Sequence, residues 1–178
     1  MYKKILLGVS VLLLSACGSQ SSTPNTQTWA NNTGTVAQDT GFTQLTGTKV
    51  FLVDTDPNNT GTDVVWCGDH MVYLEYDMSQ SQDPVYDTLA ELLSLNPNDY
   101  ASSGWYNSLQ NAQLTVNSLS INNDVAEVYL NGTLSLGGEC DNPRVVEQLQ
   151  RTLLQFPNIT STDIYINNTP LQQYISLQ

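Results

Sequence analysis

Histidine occurs once, cysteine three times, and lysine and arginine together five times in this chain of 178 residues. Each scarcity excludes something. Nucleic-acid binding rests on a basic footprint, and without one nucleic acid is not a partner. A zinc site of the usual kind draws on Cys and His, and one histidine with three cysteines leaves little material for it. The apolar run Ile5 to Leu14 is about half the roughly 20 residues of a membrane-spanning helix. There is no Gly-x-Ser-x-Gly elbow or comparable nucleophile motif, and no cofactor is expected. What the chain has in excess is acid: 17 Asp and Glu, for a net charge of −12. Hydrophobic residues, at 40 %, suffice for one folded core.

The apolar run has a second reading. Lys3 and Lys4 precede it, and Leu14-Ser15-Ala16-Cys17 follows. A positive start, a short apolar stretch and small residues at a cut site make a signal peptide over 1–16. The cut site resembles a bacterial lipobox. That resemblance implies a diacylglyceryl group on the Cys17 sulfur, cleavage before Cys17 and acylation of the new N-terminus, palmitate being the usual chain. Several acyl chains at ~0.8 kcal/mol per buried CH₂ give durable anchoring. An ordinary secretory signal with an incidental cysteine is the alternative. The lipobox implies an extracytoplasmic protein of the bacterial cell envelope, joined to a membrane through its lipid. Gly18 in place of Asp implies the outer membrane where the cell has two. Loss of Lys3 and Lys4 leaves Lys49, Arg144 and Arg151 against 17 acids, a net charge of −14. Anionic headgroups repel such a domain.

Residues 17–45 are dominated by Ser, Thr, Asn, Gln and Gly with no apolar period, which predicts a flexible stem. Residues 46–170 are the expected domain, and 171–178 a tail. Lys49 to Val53 predicts a first strand and Met71 to Tyr76 a second, with Val72, Leu74 and Tyr76 on one face. Asp83-Pro84 opens a helix carrying Val85, Leu89, Leu92 and Leu93. Leu114 to Ile121 and Val125 to Leu130 flank Asn122-Asn123-Asp124 as a hairpin. Asp141 or Asn142 caps a second helix with the stripe Val146, Leu149, Leu153 and Phe156. Asp163 to Asn167 is a last strand. The order β-β-α-β-β-α-β predicts an α+β fold of two layers, a mostly antiparallel sheet packed by two helices. Gly132, Gly137 and Gly138 sit where positive φ is expected.

Cys67 and Cys140 remain once Cys17 is assigned to lipid. In an exported chain their simplest arrangement is a disulfide, with a free thiol pair or a metal site as alternatives. Asp69-His70 invites an acid–base reading, but neighbours on a strand face opposite ways, and a surface histidine is expected. Asp54, Asp56 and Asn58 present oxygens at alternate positions like a calcium loop, although Pro57 and Asn59 spoil the usual form; a polar hairpin loop is the plainer reading. Asn58, Asn131 and Asn158 sit in Asn-x-Ser/Thr triplets, read as loop composition. Trp66, Trp105 and Tyr106 flank loops, and Trp105 with Tyr106 is a candidate contact patch.

Several stretches together resemble the GerMN domain, or sporulation and spore germination domain. They are Lys49 to Val53, Cys67-Gly68-Asp69, Gly104-Trp105-Tyr106-Asn107, the hairpin Leu114 to Leu130 and Gly137-Gly138-Glu139-Cys140-Asp141-Asn142-Pro143-Arg144. The resemblance covers about residues 46–170 and carries no catalytic residues. It implies a non-catalytic envelope lipoprotein whose domain contacts a protein partner or itself. A peptidoglycan-binding module is the alternative, with a cell-wall hydrolase behind it.

Overall fold

The computed structural model describes residues 35–36, 47–58 and 65–177. The expected signal peptide, Cys17 and most of the stem lie outside the described residues. In chain order the elements are β1 (Thr35–Val36), β2 (Thr48–Asp54), β3 (His70–Tyr76), α1 (Pro84–Ser94), β4 (Trp105–Tyr106), β5 (Gln113–Asn122), β6 (Val125–Thr133), α2 (Asp141–Leu154), β7 (Ser161–Ile166), β8 (Thr169–Pro170) and α3 (Leu171–Ser176). The fold is α+β, and its long elements follow the order read from the sequence.

The strands divide between two sheets, β1-β5-β6-β7-β8 and β3-β2-β4, where a single sheet is the sequence expectation. The reason lies along β2. Alternate residues of a strand turn their backbone polar groups to the same edge. Val50 and Leu52 pair with β3, and Val53 pairs with Tyr106 of β4. The remaining groups on the β4 side belong to Lys49 and Phe51, and side chains of α2 and of its C-cap residue Gln155 take them. Gln155 accepts from the Lys49 N–H at 2.7 Å and donates to the Lys49 carbonyl at 2.6 Å. Thr152 accepts from the Phe51 N–H, and Gln148 donates to the Phe51 carbonyl. Helix α2 thus replaces a neighbouring strand, which closes that edge to further pairing.

Connections decide the rest. Asn123 and Asp124 both have positive φ, 51° and 63°, which makes the two-residue turn that joins β5 to β6 in antiparallel register. Helix α2 carries the chain across before β7 joins β6, and a crossover of that length gives a parallel pair. A bulge between Val116 and Ser118 shifts the register of β5, so that Val116 and Leu119 both reach the core. Replacing Asp124 by Gly is expected to stabilise the domain by about 0.5 kcal/mol, because Gly adopts left-handed backbone without steric cost. Thermal unfolding checks this, and a lower melting temperature counts against it.

The core lies between the helices and the sheets. Val85, Leu89 and Leu92 of α1 meet Val50, Leu52, Leu114 and Leu119. In α2 the buried stripe is Val145, Leu149 and Leu153, continued by Phe156. Val146 is only half-buried, so the stripe runs one position earlier than the sequence reading placed it at that end. Asp83 caps α1 as expected, accepting from the Tyr86 N–H at 3.0 Å. Neither Asp141 nor Asn142 caps α2; Cys140 holds the cap position without a side-chain bond.

Three further expectations change. Residues 171–176 are a helix, not a tail: Asn167 and Asn168, both at positive φ, turn the chain into β8, and Leu171 and Ile175 are then buried. Thr35–Val36, inside the expected stem, pairs in parallel with Ser118 and Leu119 of β5. Among the three glycines expected at positive φ, only Gly132 has it, at 128°. A Cβ there would lie 1.7 Å from the Gln113 carbonyl oxygen, so no side chain fits.

Candidate functional site

The two most specific sequence stretches, Cys67-Gly68-Asp69 and Gly137 to Arg144, meet at the N-terminus of α2. The Cys67 and Cys140 sulfurs are bonded, at 2.07 Å across a separation of 73 positions. Beside them the Arg144 guanidinium bridges two carboxylates. Its Nε donates to Asp69 Oδ2 at 2.7 Å and its Nη1 to Asp141 Oδ1 at 3.1 Å. Asp69 and Asp141 are 5 % and 2 % exposed. Charges so far from water persist only when paired and hydrogen-bonded. Asp141 Oδ2 also accepts from the Gly137 N–H at 2.6 Å and the Tyr106 hydroxyl at 3.0 Å.

This cluster explains Gly137, whose φ is ordinary. A Cβ on it would stand 2.9 Å from Asp141 Oδ2, so the residue is small because the carboxylate approaches its backbone. The Arg144 side chain also lies over the Tyr106 ring, 5.4 Å from its centroid. Hydrogen bonding to Asp69 is the first cause that holds the guanidinium above its ordinary pKa. Burial, then the Asp141 carboxylate, pushes the Tyr106 phenol up. Behind the cluster, fully buried Gln148 accepts from the Ser108 N–H and donates to Asn107 Oδ1. The linked groups tie the loop before β3, the stretch around β4 and the start of α2 into one unit.

The candidate residues fall as follows. Trp105 and Tyr106 are half-buried; Trp105 packs against the core and Tyr106 serves the cluster, so they do not stand out as an exposed patch. His70 is buried, 7 % exposed, and not at the surface as expected. Its Nδ1 has no hydrogen-bond partner among the described residues. Its neighbour Asp69 turns to Arg144, so the two do not act as a pair. Asp54 and Asp56 fold back on their own loop, accepting from the Asp56 and Asn58 N–H groups, each at 2.9 Å. Among the described residues no three His, Cys, Asp or Glu side chains gather as a metal site.

Sequence reasoning singled out neither the Asp69–Arg144–Asp141 cluster nor Gln148. One signal was present: only three cations follow Cys17, and Arg144 stands three positions after Asp141 on a helix. Trp66, at 75 %, is more exposed than Tyr73, the other exposed aromatic among the described residues, at 42 %. It sits on a tight turn, Trp66–Gly68, in which Cys67 and Gly68 have φ of 70° and 75°. The Val65 N–H closes the turn on the Asp69 carbonyl at 2.8 Å. An open groove of about 450 Å³ lies between this turn, the first turns of α2 and α3.

A family model described as "Germane: Sporulation and spore germination" matches residues 49–172. Among solved structures, the first GerMN domain of the sporulation protein GerM from Bacillus subtilis is similar in fold. The TM-score is 0.52 at 17 % identity, over 71 % of this chain and 86 % of that one. No curated protein matches the chain. The match extends through β8 into α3, in keeping with a domain that continues past residue 170. With most of the chain matched to the family model and the fold shared with a GerMN domain, this chain belongs to the sporulation and spore germination (Germane, GerMN-domain) family.

Proposed function

We propose that the protein is a lipid-anchored module of the bacterial cell envelope that works by contact with a protein partner or a second copy of itself, without chemistry of its own. The observation that carries this reading is the closed state of the Asp69–Arg144–Asp141–Tyr106 cluster. The two carboxylates, the guanidinium, the phenol and the Gly137 N–H are spent on one another, 2.6–3.1 Å apart, and fit the holding of a shape. Lipid on Cys17 would tether the domain outside the cytoplasm, at the outer membrane where there are two. A net charge of −14 after removal of Lys3 and Lys4 would hold it away from anionic headgroups.

The five-stranded sheet offers the contact surface. Its inner face carries Leu114, Val128 and Ile164 into the core. The opposite face carries Tyr129 and Tyr165, half-buried but outside the core cluster, paired in register and stacked at 4.8 Å with planes 10° apart. Stacked tyrosines give rigid, amphipathic contact area at low entropy cost. Crosslinking in intact envelopes is expected to recover one specific neighbour, and Tyr129→Ser with Tyr165→Ser is expected to lose it while the domain stays folded. A domain that is monomeric and recovers no neighbour sinks the reading.

A further inference from the structure

We propose that the groove between the Trp66 turn, the start of α2 and α3 binds a neutral oligosaccharide, with the Trp66 indole as its stacking surface. This goes beyond the contact role above and rests on different residues.

An indole that remains 75 % exposed forgoes the gain that burial would bring. The backbone that carries this one is tied down. Cys67, the next residue, is bonded to Cys140 at the cap of α2, and the turn is closed by the Val65–Asp69 hydrogen bond. Two successive left-handed residues, Cys67 and Gly68, follow Trp66 in the turn. Such backbone in a non-glycine residue persists only where its surroundings impose it. The backbone that carries the ring is therefore held in place, and a ligand that stacks on the indole has only its side-chain torsions left to order.

The groove beside it has the volume of a small-ligand site, about 450 Å³. Its walls mix two chemistries. Pro143 and Ile175 supply apolar surface; Glu139, Asn142 and Gln172 supply carboxylate and amide groups. A pyranose ring has the matching shape, with a C–H face for the indole and a rim of hydroxyls that both donate and accept. Charge narrows the class. Glu139 and Glu147 line the groove of an acidic chain, so anionic sugars and phosphates are repelled. Glu147 already pairs with Arg151 at 2.7 Å, which weakens the case for a cationic ligand. A proline-rich peptide needs a track of aromatic rings, and Trp66 is the one aromatic among the described residues that line the groove.

The test titrates the full chain in detergent with N-acetylglucosamine tetramer, glucose tetramer, an oligogalacturonate and a decaproline peptide, read by calorimetry and tryptophan fluorescence. At least one neutral tetramer is expected to saturate with a Kd below the millimolar range. Trp66→Ala is expected to weaken it at least about tenfold and Trp66→Phe less, in proportion to the ring surface lost. Because Trp66 is exposed, both variants are expected to keep the parent melting temperature within about 2 °C. The proposal fails if neither neutral tetramer saturates, or if Trp66→Ala binds as tightly as the parent. It fails equally if the decaproline or the oligogalacturonate binds in preference to the sugars.

Discussion

Arg144→Met is expected to cost about 3–5 kcal/mol of folding stability, because it leaves two buried carboxylates without their cation. Asp69 and Asp141 are nearly inaccessible to water, so solvent cannot replace the guanidinium. The Tyr106 hydroxyl and Gly137 N–H still reach Asp141, but Asp69 loses its 2.7 Å partner outright. A shared cause makes the losses non-additive. Arg144→Met in an Asp69→Asn background is expected to cost clearly less than in the parent, since the neutral amide no longer demands a cation. Urea unfolding of the four proteins in the cycle measures the coupling. If Arg144→Met moves the midpoint no more than Arg151→Met does, the cluster is not a structural centre. Arg151 pairs with Glu147 half in solvent, where an ion pair contributes ~0–1 kcal/mol.

Removing the Cys67–Cys140 bond is expected to cost a similar amount by another route. The bond closes a loop of 73 positions. On the chain-entropy model such a loop withdraws roughly 4–5 kcal/mol of freedom from the unfolded chain. Cys67→Ala with Cys140→Ala is therefore expected to lower the urea midpoint by that equivalent. Reduction of the parent by dithiothreitol should match the double variant. A thiol assay on the folded, oxidised parent should find both cysteines unreactive. Equal midpoints for parent and double variant would refute the staple. The two losses need not add, because bond and ion cluster join the same two segments and each lowers the cost of forming the other.

What was legible in the sequence was local. The alternation of Val72, Leu74 and Tyr76, the cap and proline of α1, and the Asn-Asp turn of the hairpin depend on neighbours within a few positions. Each gave an element of the right type. The division into two sheets was not legible, because it depends on what lies along β2 beyond β3. The answer is a row of polar helix residues, Gln148, Thr152 and Gln155, about 100 positions away. A buried glutamine looks like a surface glutamine until its partners are known. The same holds for Asp69 and Arg144, 75 positions apart. The short strand β8 and helix α3 were missed for a different reason. Asn167-Asn168 is a turn signal of the same kind as Asn123-Asp124, but the apolar stripe after it is two residues long. Trp66 and Trp105 carry the same side chain, yet one is exposed and the other half-buried against the core. Trp66 stands on a turn with left-handed backbone at Cys67 and Gly68, and nothing in residue type marks a cysteine for such a conformation.

The covalent link near the start of α2 also governs what the domain does under tension. If the chain is drawn out from its two ends, the residues between Cys67 and Cys140 cannot contribute length, since force passes from sulfur to sulfur. At roughly 3.4 Å per residue, the 73 positions withhold roughly 250 Å of extension. The β5–β6 hairpin and α1, which lie within that span, are shielded from the pull even when the outer strands yield. A protein strung between a surface and a grip elsewhere would thus stiffen roughly 250 Å sooner than the same chain without the link.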